Sequence, residues 1–172
     1  KNNIDHFTGH ASLKDKNTIE YYSGDKVNHL SADYIILATG TRQRNLPHLD
    51  VDQSIIISSK EAMVIDKIPK SISIIGAGAI GIEFAHLFNT FGSEVTIIEA
   101  QSRILPNEDS DISKELSAIF KKRKINIITN KTISSVKKNK KSTTLTIGDQ
   151  NIKSEVVLVA VGVQGNISNL GI

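Results

Sequence analysis

Cysteine is absent from the 172 residues, so disulfides, thiolate nucleophiles, iron–sulfur clusters and cysteine zinc sites are excluded from this chain. Tryptophan is absent as well, and aromatic residues amount to 5 %, which leaves few rings on which nucleobases could stack. No apolar run approaches the roughly 18 residues of a membrane-spanning helix, so no membrane partner is expected. The five histidines, His6, His10, His29, His48 and His86, show no ligand spacing such as H-E-x-x-H, and solvent-facing or capping roles are expected for them rather than a metal site. The N-terminus begins Lys-Asn-Asn, without an initiator Met and without a basic-then-apolar signal pattern; the expectation is an excised piece of a longer chain.

What is present is ordinary for a globular protein, with 39 % apolar and 23 % charged residues. The length suits one domain with a core, or one domain and part of another. The net charge of +3 comes largely from two clusters, residues 121–124 and 137–141. One is placed to end a helix, where cations suit the dipole, and the other to fill a hairpin turn. Both are read as solvated surface, and no nucleic-acid partner is expected.

Along the chain, SISII (71–75) is a short β-branched run after Pro69 and reads as a buried strand. Beyond Gly78 the apolar residues Ile80, Phe84, Leu87, Phe88 and Phe91 recur at helical spacing, with Gly92 as the stop. SEVTIIEA (93–100) is a second strand. Residues 109–124 open with acids, close with bases and carry Ile112, Leu116, Ile119 and Phe120 on one face, which predicts a helix. INIIT (125–129) is a third strand. This alternation implies a parallel sheet with right-handed crossovers. Upstream, Ser58 and Glu61 are spaced as a capping box for a short helix ending before Pro69. Downstream, TISSVKK, STTLTI and NIKSEVVLVAVG read as strands of an antiparallel meander. SADYIILATG (31–40) echoes KSEVVLVAVG (153–162), each after a meander, as if the tail of one unit preceded a complete similar unit. The fold class expected is α/β, Rossmann-like, with helices, a parallel sheet and a meander crossover.

Gly76, Gly78 and Gly81 are spaced G-x-G-x-x-G between the first strand and its helix, the context in which that spacing forms a dinucleotide cradle. Gly76 would permit the tight turn, Gly78 would let a pyrophosphate approach the backbone, and Gly81 would let helix and strand pack closely. The phosphates would meet the free N–H groups of the helix N-terminus. Glu99, at the end of the second strand, is suited to accept hydrogen bonds from an adenosine ribose diol and to repel a 2′-phosphate, which argues for NAD over NADP. Arg103 lies near and is assigned a local structural role. Glu83, placed in the first turn of the helix, would face the nicotinamide end or a salt bridge, or serve the helix dipole alone.

Taken together, ATGTRQRNLP (38–47), IISSKEAM (56–63), IPKSISIIGAGAIGIEFAHLFNTFGSEVTIIEA (68–100), RILPNEDSDISKEL (103–116) and VLVAVG (157–162) resemble the dihydrolipoamide dehydrogenases, the flavoprotein E3 components of 2-oxo acid dehydrogenase complexes, within the pyridine nucleotide-disulfide oxidoreductases. The resemblance runs over essentially the whole chain. It implies three segments: residues 1–42 as the end of a first FAD-binding segment, 43–162 as an NAD-binding domain, and 163–172 as the return to the FAD domain. By position it assigns Gly76, Ala77, Gly78, Ala79, Ile80, Gly81, Glu83, Glu99, Ile133 and Gly162 to NAD, and Gly9, Thr39, Gly40 and Thr41 to FAD. The family's redox-active Cys-x4-Cys pair and His–Glu base have no counterpart in these residues, so no catalytic residue is assigned. The piece by itself is expected to be inactive and not to retain FAD. The parent protein would reduce NAD through FAD and a disulfide, meet lipoyl domains, dimerise through a domain not included here, and work in the cytoplasm, or in the mitochondrial matrix of a eukaryote. Residues 163–166, Val-Gln-Gly-Asn, depart from the family's Arg-x-Pro-Asn. Related disulfide reductases, such as a mercuric reductase or a soluble transhydrogenase, and a non-catalytic NAD-binding redox sensor are the alternatives.

Overall fold

The computed structural model describes residues 2–47 and 49–172; Lys1 and His48 lie outside the described residues. In chain order the elements are β1 (His10–Asp15), β2 (Thr18–Ser23), β3 (Lys26–Ser31), β4 (Thr41–Gln43), β5 (Ile56–Ser58), α1 (Ser59–Ala62), β6 (Ser71–Ile75), α2 (Ala79–Thr90), β7 (Glu94–Ile98), α3 (Ser110–Lys122), β8 (Asn126–Ile128), β9 (Ser135–Lys138), β10 (Thr143–Ile147), β11 (Gln150–Ser154), β12 (Val156–Val159) and β13 (Val163–Gly165). They fall into two compact units, one of residues 1–42 with 164–172 and one of residues 43–163.

The larger unit is an α/β fold around a parallel five-stranded sheet in the order β5-β12-β6-β7-β8. Its strands are apolar on both sides because both sides are covered, as parallel sheets require. On one side Ile72, Ile74, Val95, Ile97 and Leu158 pack against Ala62, Ala85, Phe88 and Phe120 of the helices. On the other, Ile75, Ile98, Val157 and Val159 pack against Leu145 and Ile147, which belong to the antiparallel sheet β11-β10-β9. The chain leaves that meander at Glu155, whose N–H donates to the Ser71 carbonyl. The stretch from 151 to 162, read from sequence as one meander strand, is therefore two: β11 closes the meander, and β12 enters the parallel sheet between β5 and β6.

The helices lie where the apolar patterns put them, and only part of each apolar set faces the core. Of the five recurring apolar residues in and after α2, only Phe88 is fully buried; Ile80, Leu87 and Phe91 are 37, 39 and 60 % exposed. The face turned to the sheet is Gly81, Ile82, Ala85 and Phe88, because small residues let the helix axis come close. In α3 Ser113, Leu116 and Phe120 turn inward, while Ile112 and Ile119 of the expected face are exposed. The capping box is present: the Ser58 hydroxyl donates to the Glu61 carboxylate, which also accepts from Ser58 N–H at 2.9 Å. α1 ends at Ala62, well short of Pro69.

The smaller unit holds the antiparallel sheet β1-β2-β3. Residues 34–40, the first copy of the echoed sequence, form no strand, and Tyr34 and Ile36 are 91 and 90 % exposed. Its counterpart β12 is a strand because β5 and β6 flank it; residues 34–40 have no such neighbours among the described residues.

Candidate dinucleotide cleft

Rossmann-type binding sites form beyond the carboxyl ends of parallel strands, where the chain must turn sharply into a helix. Here that turn follows β6. Gly76 has φ +97°, and a Cβ built on it would lie 2.4 Å from the Ala160 carbonyl oxygen. A Cβ on Gly81 would lie 2.0 Å from the Gly76 carbonyl oxygen, so Gly81 lets the first turn of α2 close onto the glycine-rich turn itself. Gly78 is different. It is the N-cap of α2, its side-chain position meets nothing within 4 Å, and no side chain caps the helix. Space and unspent N–H donors coincide at this one residue.

Glu99 is 7 % exposed, and its two carboxylate oxygens take separate duties. Oε2 accepts from Ala77 N–H at 2.7 Å, and Oε1 accepts from Gln101 N–H at 2.8 Å. Each oxygen keeps capacity for a second donor, so a ribose diol could add to these bonds without breaking them. Glu99 is thus both a candidate ribose acceptor and the brace that fixes Ala77 within the turn.

A cleft of about 840 Å³ runs over these ends, a size in the range of small-molecule sites. Gly76, Gly78, Ala79, Ile80, Glu99, Ile133 and Gly162 line it, all named from the sequence. Ala77 is buried behind the lining, and Gly81 serves packing. Glu83 does not line the cleft. The helix begins at Ala79, which carries Glu83 past the first turn, where no acid stands; its side chain is exposed. Glu83 thus stands outside the first turn, although the sequence pattern puts it there. Sequence reasoning did not name Arg44, Leu46, Leu49, Lys131 or Thr132, which also line the cleft. Arg103 lies outside it, donating through Nη2 to the Pro106 and Glu108 carbonyls at 2.9 Å each and so folding its own loop.

The four residues assigned to a flavin lie in the smaller unit. Gly9 packs against the Tyr22 carbonyl. The Thr39 and Gly40 carbonyls accept from Asn166, and Thr41 opens β4. A second groove of about 690 Å³, lined by Arg103, Lys114, Lys121 and several serines, contains none of the expected residues. Among the described residues no three His, Asp or Glu side chains gather as metal ligands would, and no helix is long and apolar enough to cross a membrane.

The family described as pyridine nucleotide-disulphide oxidoreductase matches residues 1–171. The chain is 35 % identical over 187 residues to a dihydrolipoyl dehydrogenase of Bacillus subtilis, covering 100 % of this chain and 40 % of that protein. Among solved structures it is similar to the HOCl-induced flavoprotein disulfide reductase of Escherichia coli, with 26 % identity, a TM-score of 0.81 and coverage of 98 % of this chain and 38 % of that one. It is also similar to LpdA of Mycobacterium tuberculosis, at 26 % identity and a TM-score of 0.83, over 95 % of this chain and 37 % of that one. The chain thus spans about two fifths of the length of the curated relative it matches.

Proposed function

The chain belongs to the pyridine nucleotide-disulphide oxidoreductase family, and we propose that its cleft binds NAD(H) as the nicotinamide-cofactor site of a dihydrolipoyl dehydrogenase. The observation that carries this reading is the meeting, in one cleft, of the open N-cap at Gly78 and the carboxylate of Glu99. A dinucleotide fits both. Its pyrophosphate would take the unoccupied side-chain position of Gly78 and the free N–H groups beyond it. Its adenosine ribose would donate to Glu99, whose charge opposes a 2′-phosphate.

In the whole protein, NAD would accept the hydride that flavin and disulfide chemistry deliver from a dihydrolipoyl group, so lipoyl domains would be its partners and the cytoplasm or mitochondrial matrix its compartment. The residues of this chain would hold and orient the nicotinamide cofactor, not carry out bond-making steps. A related flavoprotein disulfide reductase is the second reading, supported by the departure at residues 163–166 and by the likeness to the Escherichia coli reductase. The full-length gene separates the two through the residues around its cysteine pair.

The test on the 172-residue chain has two parts. NADH should bind saturably, one molecule per chain. The purified chain should hold no stoichiometric flavin and should not oxidise dihydrolipoamide with NAD, since it has no thiol. No binding of NADH contradicts the cleft reading, and turnover by the chain alone contradicts the assignment of chemistry to other parts of the protein.

A further inference from the structure

Two cationic side chains, Arg44 and Lys131, line the cleft, and the backbone holds them at opposite ends. Arg44 N–H donates to the Gly162 carbonyl at 3.1 Å, beyond the end of β12. Lys131 N–H donates to the Glu99 carbonyl at 3.2 Å, beyond the end of β7. β12 and β7 flank β6 on its two sides, so the two anchoring points are separated by two strand spacings, about 10 Å, with the glycine-rich turn between them.

The turn itself falls short as an anion site. Each phosphate of a dinucleotide carries a negative charge. Gly76 N–H is already donated to the Ile98 carbonyl at 2.8 Å, and Ala77 N–H to Glu99 at 2.7 Å. The N-terminus of α2 supplies about half a positive charge. Lys131 lies on the side of Glu99, so the two formal charges at that end of the cleft sum to zero. Arg44 has no such counterweight. It is exposed at the β12 side, and its guanidinium forms no ion pair with a described residue. A guanidinium is also the group best shaped to grip a phosphate, through two parallel N–H donors.

We propose that Arg44 is a cofactor-binding residue of this cleft, its guanidinium gripping the nicotinamide-side phosphate of the dinucleotide. The proposal rests on the NAD(H) reading of the cleft. It adds a residue contributed by the loop after β4, far from the glycine motif in the chain. It also divides the labour: Glu99 and Lys131 hold the adenosine half, the turn holds the pyrophosphate from below, and Arg44 closes on it from the β12 side.

Three ligands isolate the contact: NADH, ADP-ribose, which lacks the nicotinamide, and AMP, which lacks the second phosphate. Each is titrated by calorimetry into the unmutated 172-residue chain, Arg44→Gln and Arg44→Lys. Arg44→Gln should weaken NADH and ADP-ribose alike, by about tenfold, and AMP by less than about twofold. Arg44→Lys, which keeps charge without the fork, should fall between. The thermal midpoint of Arg44→Gln should stay that of the unmutated chain, because the side chain is exposed; were it to fall, Arg44→Lys carries the comparison. Unchanged NADH affinity overturns the proposal. So does a loss for NADH without one for ADP-ribose, which would place Arg44 on the nicotinamide, and so does an equal loss for AMP. If the unmutated chain binds no NADH, the cleft reading fails and takes the proposal with it; if it binds and Arg44→Gln is indifferent, only the proposal fails.

Discussion

A methyl group added at Gly81 and one added at Gly78 meet opposite surroundings, and this separates the structural glycine from the binding one. At Gly81 the new atom would sit 2.0 Å from the Gly76 carbonyl oxygen, and the group in its way is backbone, not the end of a flexible side chain. Gly81→Ala should lower stability by about 3 kcal/mol, read by urea unfolding. At Gly78 there is open space. Gly78→Ser should leave stability within about 0.5 kcal/mol, because serine is as good an N-cap as glycine. It should nevertheless weaken NADH about tenfold or more, because its hydroxyl takes an N–H that a phosphate needs. Normal NADH affinity in Gly78→Ser would show that the phosphates lie elsewhere. Glu99 combines both roles. In Glu99→Gln one end of the amide must turn its NH2 toward a backbone N–H, that of Ala77 or of Gln101, so a buried bond is replaced by two opposed donors. Stability should fall by about 1–3 kcal/mol, and NADH affinity should fall with it. An unfolding curve identical to that of the unmutated chain would contradict the brace.

Among the elements, the entry to β5 depends on one carboxylate. Asp52 Oδ1 accepts from the N–H groups of Ser54, Ile55 and Ile56, and Oδ2 accepts from Lys138 of β9 at 2.5 Å. Burial alone would raise the Asp52 carboxyl. The Lys138 ammonium and the three N–H groups outweigh it and hold the group well below the usual carboxylate range. A lowered folded-state pKa stabilises the fold above the unfolded pKa of about 4, and the contribution fades as pH falls through the folded value. Asp52→Asn keeps an oxygen for the amides and loses the ion pair, which is partly exposed. It should cost about 1 kcal/mol at pH 7, with the gap to the unmutated chain closing below about pH 4. Urea unfolding at both pH values checks this, and a pH-independent gap would contradict it. The sequence patterns place the helices and part of their inward faces, with Phe84, Phe88, Leu116 and Phe120 against the core, but they miss the small residues that face the sheet. Ile80, Leu87 and Phe91 dominate the apolar pattern of α2, yet Gly81 and Ala85 face the sheet, because hydrophobic spacing weighs bulk while close packing selects smallness. The split of β11 from β12 was hidden for a similar reason: β-branched residues run through both, and only Glu155, pairing with Lys70 and Ser71, marks the change of sheet.

In the whole molecule, the cleft was legible where it is built from one local motif and obscure where distant loops complete it. Gly76, Gly78, Gly81 and Glu99 stand on consecutive elements and announce themselves by spacing. Arg44, Leu46 and Leu49 come from a loop that reaches the cleft on the β12 side of β6, and Lys131 from the loop after β8 on the β7 side; no local pattern carries that information. Glu83 shows the converse, a residue next to the motif that the helix start turns away from the lining. This assembled cleft, with Glu99 at its adenosine end, should select an unphosphorylated ribose. Parallel NMR titrations of the 172-residue chain with NADH and NADPH measure that selection. NADH should bind at least about tenfold more tightly than NADPH, with the amides of Gly78, Ala79 and Ile80 shifting first. Equal affinity for the two, or shifts confined to the groove beside α3, would contradict it.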